Sequence, residues 1–188
     1  MSDGTARDSA WFEALFRQHG NQVLPYASRR CPAEADDVVA EVFAAAWKHR
    51  QTVPAEALPW LYRTAAHQVM HSHRGSSRRA ALVSRSARMD EPDRNPPDVA
   101  DEVVAQLDRS TVVGRVMAAL PAADAEVLRL WAWEQLGTEE IAYVLVISNV
   151  AARVRLHRAR RRAEALLRGA GASTQFSLVL RPDLEELR

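Results

Sequence analysis

The sequence predicts an all-α protein: two small helical domains joined by a flexible acidic, proline-rich linker, the second domain containing a helix-turn-helix. Apolar residues recur at three- and four-residue spacings on either side of a central gap, the period of amphipathic helices. No hairpin signal separates alternating strands, and only 7 of 188 residues are glycine, so nothing favours a sheet. In the gap, "MDEPDRNPPDVADE" carries three prolines and heavy acidity, a composition that resists compact packing.

Each element follows in turn. Trp11, Phe12, Leu15, Phe16, Val23 and Leu24 share helical spacings, and Pro25 is expected to stop or kink that helix because it lacks an amide hydrogen. Residues 33–50 put Val38, Val39, Val42, Phe43, Ala46 and Trp47 on one broad face, and Glu34, Asp36 and Asp37 complement the amide end. A third helix starts near Pro54 or Pro59, turns Trp60, Leu61, Ala65 and Val69 inward, and is expected to end before Gly75. These three helices bury one another's apolar faces and define a first domain at 10–78, followed by a linker at 79–108. A second domain at 109–168 opens with the stripe Val112, Val113, Val116, Met117 and Leu120, which Pro121 interrupts. A helix through Val127, Leu128, Leu130 and Trp131 follows, then helices at 138–145 and 148–167. The tail at 169–188 contains "FSLVL", readable as loose chain, a short strand or a docked segment.

The net charge of +1 conceals strong segregation. Residues 63–89 hold six arginines and no acid, residues 90–108 hold seven acids, and residues 153–162 hold six more arginines and no acid. Such blocks suit a surface facing a polyanion. Cys31 stands alone, which excludes an intrachain disulfide and a cysteine-based zinc cluster. His67, His71 and His73 lie close in sequence, but no HExxH pattern, phosphate-binding glycine loop or nucleophile constellation accompanies them. They read as exposed histidines on a basic surface, and neither an enzyme nor a cofactor is expected. No basic-then-apolar leader opens the chain and no apolar run approaches the roughly 20 residues that span a bilayer, so a cytoplasmic protein without membrane insertion is expected.

Residues 137–162, "GTEEIAYVLVISNVAARVRLHRARRR", hold the densest signal. Thr138 is a candidate cap for the first short helix, whose Ile141, Ala142 and Leu145 face inward, while Ile147 packs in the turn. Ser148 is a candidate cap for the second helix, which is expected to turn Val150, Ala151 and Val154 toward the first. Asn149, Ala152, Arg153 and Arg155 then occupy its more exposed faces. A helix-turn-helix enters the major groove with the amino end of its second helix while neighbouring basic residues hold phosphates. A plain helical hairpin with a basic end is the alternative.

The second domain resembles, over "ALPAADAEVLRLWAWEQLGTEEIAYVLVISNVAARVRLHRARRR", region 4 of the extracytoplasmic-function sigma factors, the compact branch of the bacterial sigma-70 family. "LPxxxxEVLxL", "EEIAxxL", "IS" and "RLHRARRR" fall in that family's order and spacing. The first domain resembles region 2 through "ADDVVAEVFAAAWKHR" and "LPWLYRTAAHQV", and the likeness covers most of residues 10–168. Four departures stand out: Val146 where the turn usually has glycine, Val150-Ala151 for a common Gly-Thr, Ala40 for Gln, and Ala66-His67 for Arg-Asn.

The resemblance implies a promoter-specificity subunit that binds the β′ clamp and β flap of bacterial RNA polymerase core. It implies that the second domain reads the −35 element of double-stranded promoter DNA. Asn149, Arg153 and Arg155 are then candidates for base edges or adjacent phosphates. Arg158, Arg160 and Arg161 position phosphates, and Ser148 caps amides beside one. It implies a segment docking on the clamp, with Asp37 and Glu41 at the interface and Phe43 and Trp47 assigned to the core. The third helix would engage the −10 element and its melted strand through Tyr62, Arg63, His67, His71 and Arg74, with Trp60 a core anchor. An anti-sigma partner that covers these faces is a family expectation. A standalone helix-turn-helix regulator and a helical interaction adaptor are the competing readings.

Overall fold

The first helix begins where the side chain of Asp8 accepts a hydrogen bond from the Trp11 amide at 3.1 Å, the usual way to satisfy a free amino-end donor. The computed structural model describes residues 7–86 and 111–169, including side chains except those of 72–86. The chain divides into two compact units, Met1–Asp101 and Glu102–Arg188.

In the first unit, α1 (Ser9–Ser28), α2 (Ala35–Lys48) and α3 (Ala57–Ser86) pack on one another, with a 3-10 turn at Pro32–Glu34 leading into α2. Leu15, Val23 and Tyr26 from α1 meet Val38, Val42 and Phe43 from α2 and Leu61, Tyr62 and Ala65 from α3. Phe43 takes the rings of Phe16 and Phe12 edge-on, at 4.8 and 6.3 Å. Of the two outcomes expected at Pro25, a stop does not occur: α1 runs three residues past it. Tyr26 and Ala27 beyond the proline are fully buried, and their packing offsets the missing hydrogen bond. Likewise α3 continues through Gly75 to Ser86 rather than stopping before it, since a lone glycine weakens a helix by only about 1 kcal/mol. Residues 79–86 of the expected linker are therefore helical; the rest of it and the tail from 170 lie outside the described residues.

The second unit contains α4 (Val112–Ala119), α5 (Ala122–Ala132), α6 (Thr138–Leu145) and α7 (Asn149–Gly169). Thr111 caps α4 by accepting from the Gly114 amide at 3.0 Å. All of α4, α5 and α6 contact α7. The core joins Val116, Met117, Leu128, Leu130 and Ile141 to one stripe of α7: Ala152, Leu156, Ala159, Ala163 and Leu167. Three alanines in that stripe let neighbouring helices approach closely. Two partners on α5 hold the flanks of α7. The Arg162 guanidinium pairs with the buried carboxylate of Asp124, and that of Arg160 lies 4.8 Å over the Trp131 ring. Among the described residues there is no strand, and no helix is long and apolar enough to cross a membrane.

Candidate nucleic-acid interface

α6 and α7 meet across a three-residue turn, Val146-Ile147-Ser148, and every cap in it is identifiable. α6 starts from Gly137, not Thr138: the Glu140 carboxylate reaches back to accept from the Gly137 amide at 2.7 Å, leaving Thr138 as the first helical residue. At its other end, Val146 takes φ 55°, ψ 47°, the left-handed conformation that usually calls for glycine. The Ile147 amide then donates to the Ala142 carbonyl at 3.0 Å, closing the wide turn that ends many helices. Ser148 caps α7, its hydroxyl accepting from the Ala151 amide at 3.1 Å.

The buried stripe of α7 sets which side chains face outward. At 100° per residue, the direction opposite Ala152, Leu156, Ala159 and Ala163 is occupied by Val150, Val154, His157, Arg158 and Arg161. All five are exposed. Here the sequence expectation is reversed: Val150 and Val154 are 70% and 49% exposed, whereas Ala152, expected outside, is fully buried. The signal that reveals the true register is the long stripe 152, 156, 159, 163, 167, which passes through the arginine-rich half of the helix and forces both valines out. Arg153 and the half-buried Arg155 lie on opposite flanks of the ridge.

Two other candidates move away from the ridge. The Asn149 amide nitrogen donates to Glu139 on α6 at 3.3 Å, and its oxygen is buried, so its side chain ties the two helices together instead of projecting toward a base. Arg160 is engaged on Trp131 and packs α7 against α5, while Arg158 and Arg161 keep the outward position.

In the first unit, Asp37 and Glu41 stand four residues apart on the exposed face of α2, in line with Ala44 and Lys48. Trp47, expected in the core, is 40% exposed, set edge-on to Phe12 at 5.6 Å and covered by the Arg50 guanidinium at 4.5 Å. Between α1 and α2 opens a groove of about 630 Å³ whose lining includes the apolar Phe12, Phe16, Leu24 and Val39 and the charged Glu13, Arg17 and Asp36. Along α3, Arg63, His67 and His71 are exposed and share one face; the two histidine rings touch, Nε2 to Nε2, at 3.2 Å. Arg74 continues their register on the same helix, but its side chain lies outside the described residues. Tyr62 does not belong to this face. It is 2% exposed and packs against Tyr26 with ring centroids 5.0 Å apart, because it falls in register with Leu61, Ala65 and Val69 of the core.

Two helical units, one with a capped helix-turn-helix whose second helix projects a basic ridge, define a DNA-binding protein of the multi-module helical class. Family models agree: sigma-70 region 2 matches residues 15–79, and sigma-70 region 4 matches residues 110–162. The chain is 29% identical over 178 residues to the ECF RNA polymerase sigma factor SigL of Mycobacterium tuberculosis, covering 92% of this chain and 98% of SigL. It is 28% identical over 169 residues to the probable RNA polymerase sigma factor RfaY of Xanthomonas campestris pv. campestris, covering 82% of this chain and 41% of that protein. Among solved structures it is similar to CnrH in complex with the cytosolic domain of CnrY, with TM-score 0.59, 24% identity, and coverage of 86% and 90%. It is also similar to the sigma factor RpoE in complex with the anti-sigma factor NepR from Bartonella quintana, with TM-score 0.54, 18% identity, and coverage of 81% and 96%. These two likenesses bear on the fold. The chain belongs to the sigma-70 family, in its extracytoplasmic-function branch, and is a promoter-specific transcription initiation factor.

Proposed function

We propose the following division of labour for this initiation factor. α7 enters the major groove of the −35 element with its amino end leading, and Arg158 and Arg161 hold phosphates beside it, with Arg153 and Arg155 on the groove walls. The observation that carries this reading is the outward ridge of α7, apolar at the amino end and cationic beyond it, opposite a continuous buried stripe. Asp37 and Glu41 supply the acidic contact to the β′ clamp, since an exposed acidic face favours a cationic partner. Arg63, His67, His71 and Arg74 follow the backbone of the −10 strand. The first domain (10–78), with α3 extending it, serves the clamp and the −10 element, and the second (109–168) serves the −35 element and the β flap. Working with polymerase places the protein in the cytoplasm. RpoE is recorded with the anti-sigma factor NepR, and by that likeness an anti-sigma partner covers the groove and acidic face beside α2 here.

The test is transcription in vitro from fragmented genomic DNA with purified full-length chain and sigma-free core polymerase. New start sites that share a −35 and a −10 element, absent with core alone, are expected. Asp37→Arg with Glu41→Arg should lower core binding at least tenfold. No new starts from a folded chain and an active core would overturn the proposal.

A further inference from the structure

The amino half of the α7 ridge has a chemistry unlike the rest of the helix. Val150 and Val154 are four residues apart, so their side chains stand next to each other about 6 Å apart on the outermost line of the helix. Together they form an apolar strip on a helix that carries six arginines between 153 and 162 and no acid before Glu164. The strip has no covering element among the described residues. An apolar patch set in cationic surroundings suits a partner that is anionic at its edges and apolar at its centre. The major groove fits that description: phosphates line it, and thymine presents a C5-methyl group on its floor.

Valine neither donates nor accepts a hydrogen bond, so this pair cannot read a base edge as arginine or asparagine does. Asn149, the residue type suited to adenine, is committed to Glu139. The thymine methyl is the one apolar feature that distinguishes a base pair in the major groove. Resting on the −35 reading above, we infer that Val150 and Val154 are specificity-determining residues that select thymine by contact with its 5-methyl group. Four residues of helix advance about 6 Å. That matches about two steps of 3.4 Å along one strand, so the two selected thymines lie within two positions of each other. Arg158 and Arg161 continue the same line and fix the helix against the backbone, so the methyl contacts act at a defined register.

Replacing thymine by uracil removes only the methyl group and preserves pairing. The experiment uses full-length chain with sigma-free core and a promoter chosen from a library randomised across the −35 region. Each −35 thymine is replaced by uracil in turn, and initiation is read as abortive transcript yield. Uracil at one or two positions should lower yield about fourfold each, the loss of one buried apolar carbon. The V150A/V154A double variant, altered only at exposed positions, should lose the thymine preference and become indifferent to uracil there, with core binding unchanged.

Promoter-specific starts that uracil nowhere affects would refute the inference while leaving the −35 reading intact. The same refutation follows if the double variant stays sensitive to uracil, because the methyl contact then belongs to other residues. Weaker core binding by the double variant would assign the strip to a protein surface and also overturn it. Absence of any promoter-specific start sinks the −35 reading itself, and the inference with it.

Discussion

Val146→Gly should stabilise the helix-turn-helix, although it removes an apolar side chain. Val146 sits at φ 55°, ψ 47°, where a β-branched side chain crowds its own backbone. Such a left-handed residue costs of order 1–3 kcal/mol. Glycine relieves that strain and gives back about 0.4–1 kcal/mol through the greater freedom of the unfolded chain. The valine is 69% exposed, so little buried apolar area is lost with it. The balance is a gain of about 1 kcal/mol, or about fivefold in the local opening equilibrium. Amide hydrogen exchange of the full-length chain, followed by mass spectrometry over peptides spanning 138–156, reads this directly. Exchange there should slow about fivefold while peptides from α1 to α3 stay unchanged. Unchanged or faster exchange across α6 and α7 would show that the turn is not strained at Val146, and the reasoning would fall.

Tyr62→Ala should lower the stability of the free chain by about 3–5 kcal/mol in urea unfolding, because the ring is buried against Tyr26; a change within about 0.5 kcal/mol would return Tyr62 to the surface and to DNA. Arg161→Ala and Arg162→Ala should separate two roles for adjacent arginines. The first should reduce the salt slope of promoter binding by about 1 at unchanged stability. The second should destabilise by about 1–2 kcal/mol, since it strands the buried Asp124 carboxylate, a figure kept low because Arg162 is half-exposed. Burial, then the neighbouring Glu34 charge, pushes the Cys31 thiol above its ordinary value of 9.0, against a smaller opposing effect of Arg30. The folded chain therefore holds that proton at pH values where the unfolded chain has released it. The thiol's contribution to stability is full below about pH 9 and is lost as pH rises through the folded value. Iodoacetamide at pH 9 should label Cys31 more slowly in the folded chain than in urea, and equal rates would contradict its burial.

Much of this architecture is written in local patterns. The acidic first turn and apolar face of α2, the cap Ser148 and the stripe of α4 all follow from spacing, because each depends on residues within one or two helical turns. As stop signals, Pro25 and Gly75 mislead for one reason. Their intrinsic preferences are local, while packing beyond Pro25 and the modest penalty of Gly75 decide the outcome. Tyr62 and Asn149 were legible as residue types that suit DNA but not as positions. Tyr62 is a near neighbour of exposed Arg63, and one residue of helix turns a side chain by 100°. Asn149 is claimed by Glu139, ten residues away across the turn, a pairing that no helical period reveals. Val150 and Val154 depart from the rule that apolar residues turn inward, because on α7 alanine fills that place instead.

That substitution of alanine for larger residues explains how one helix serves as both core and contact surface. A stripe built from Ala152, Ala159 and Ala163 buries little side-chain volume of its own, so α7 needs additional anchoring against α5. Arg160 and Arg162 supply it from the flanks, one over the Trp131 ring and one on the Asp124 carboxylate. The basic run is therefore not a single electrostatic patch. Alternate members are turned back to hold the helix, and Arg158 and Arg161 are left to face outward. These anchors grip the carboxyl half, while the amino half is held by its Ser148 cap, the Asn149–Glu139 tie, the buried Ala152 and Leu156, and the turn at Val146. On the proposed −35 reading, the end of the helix that meets base edges is therefore the end joined directly to the three-residue turn. On that same reading, exchanges at 146 and 150, where the family usually has glycine, should act on promoter choice by different routes: one through the angle of the helix, the other through the surface it presents.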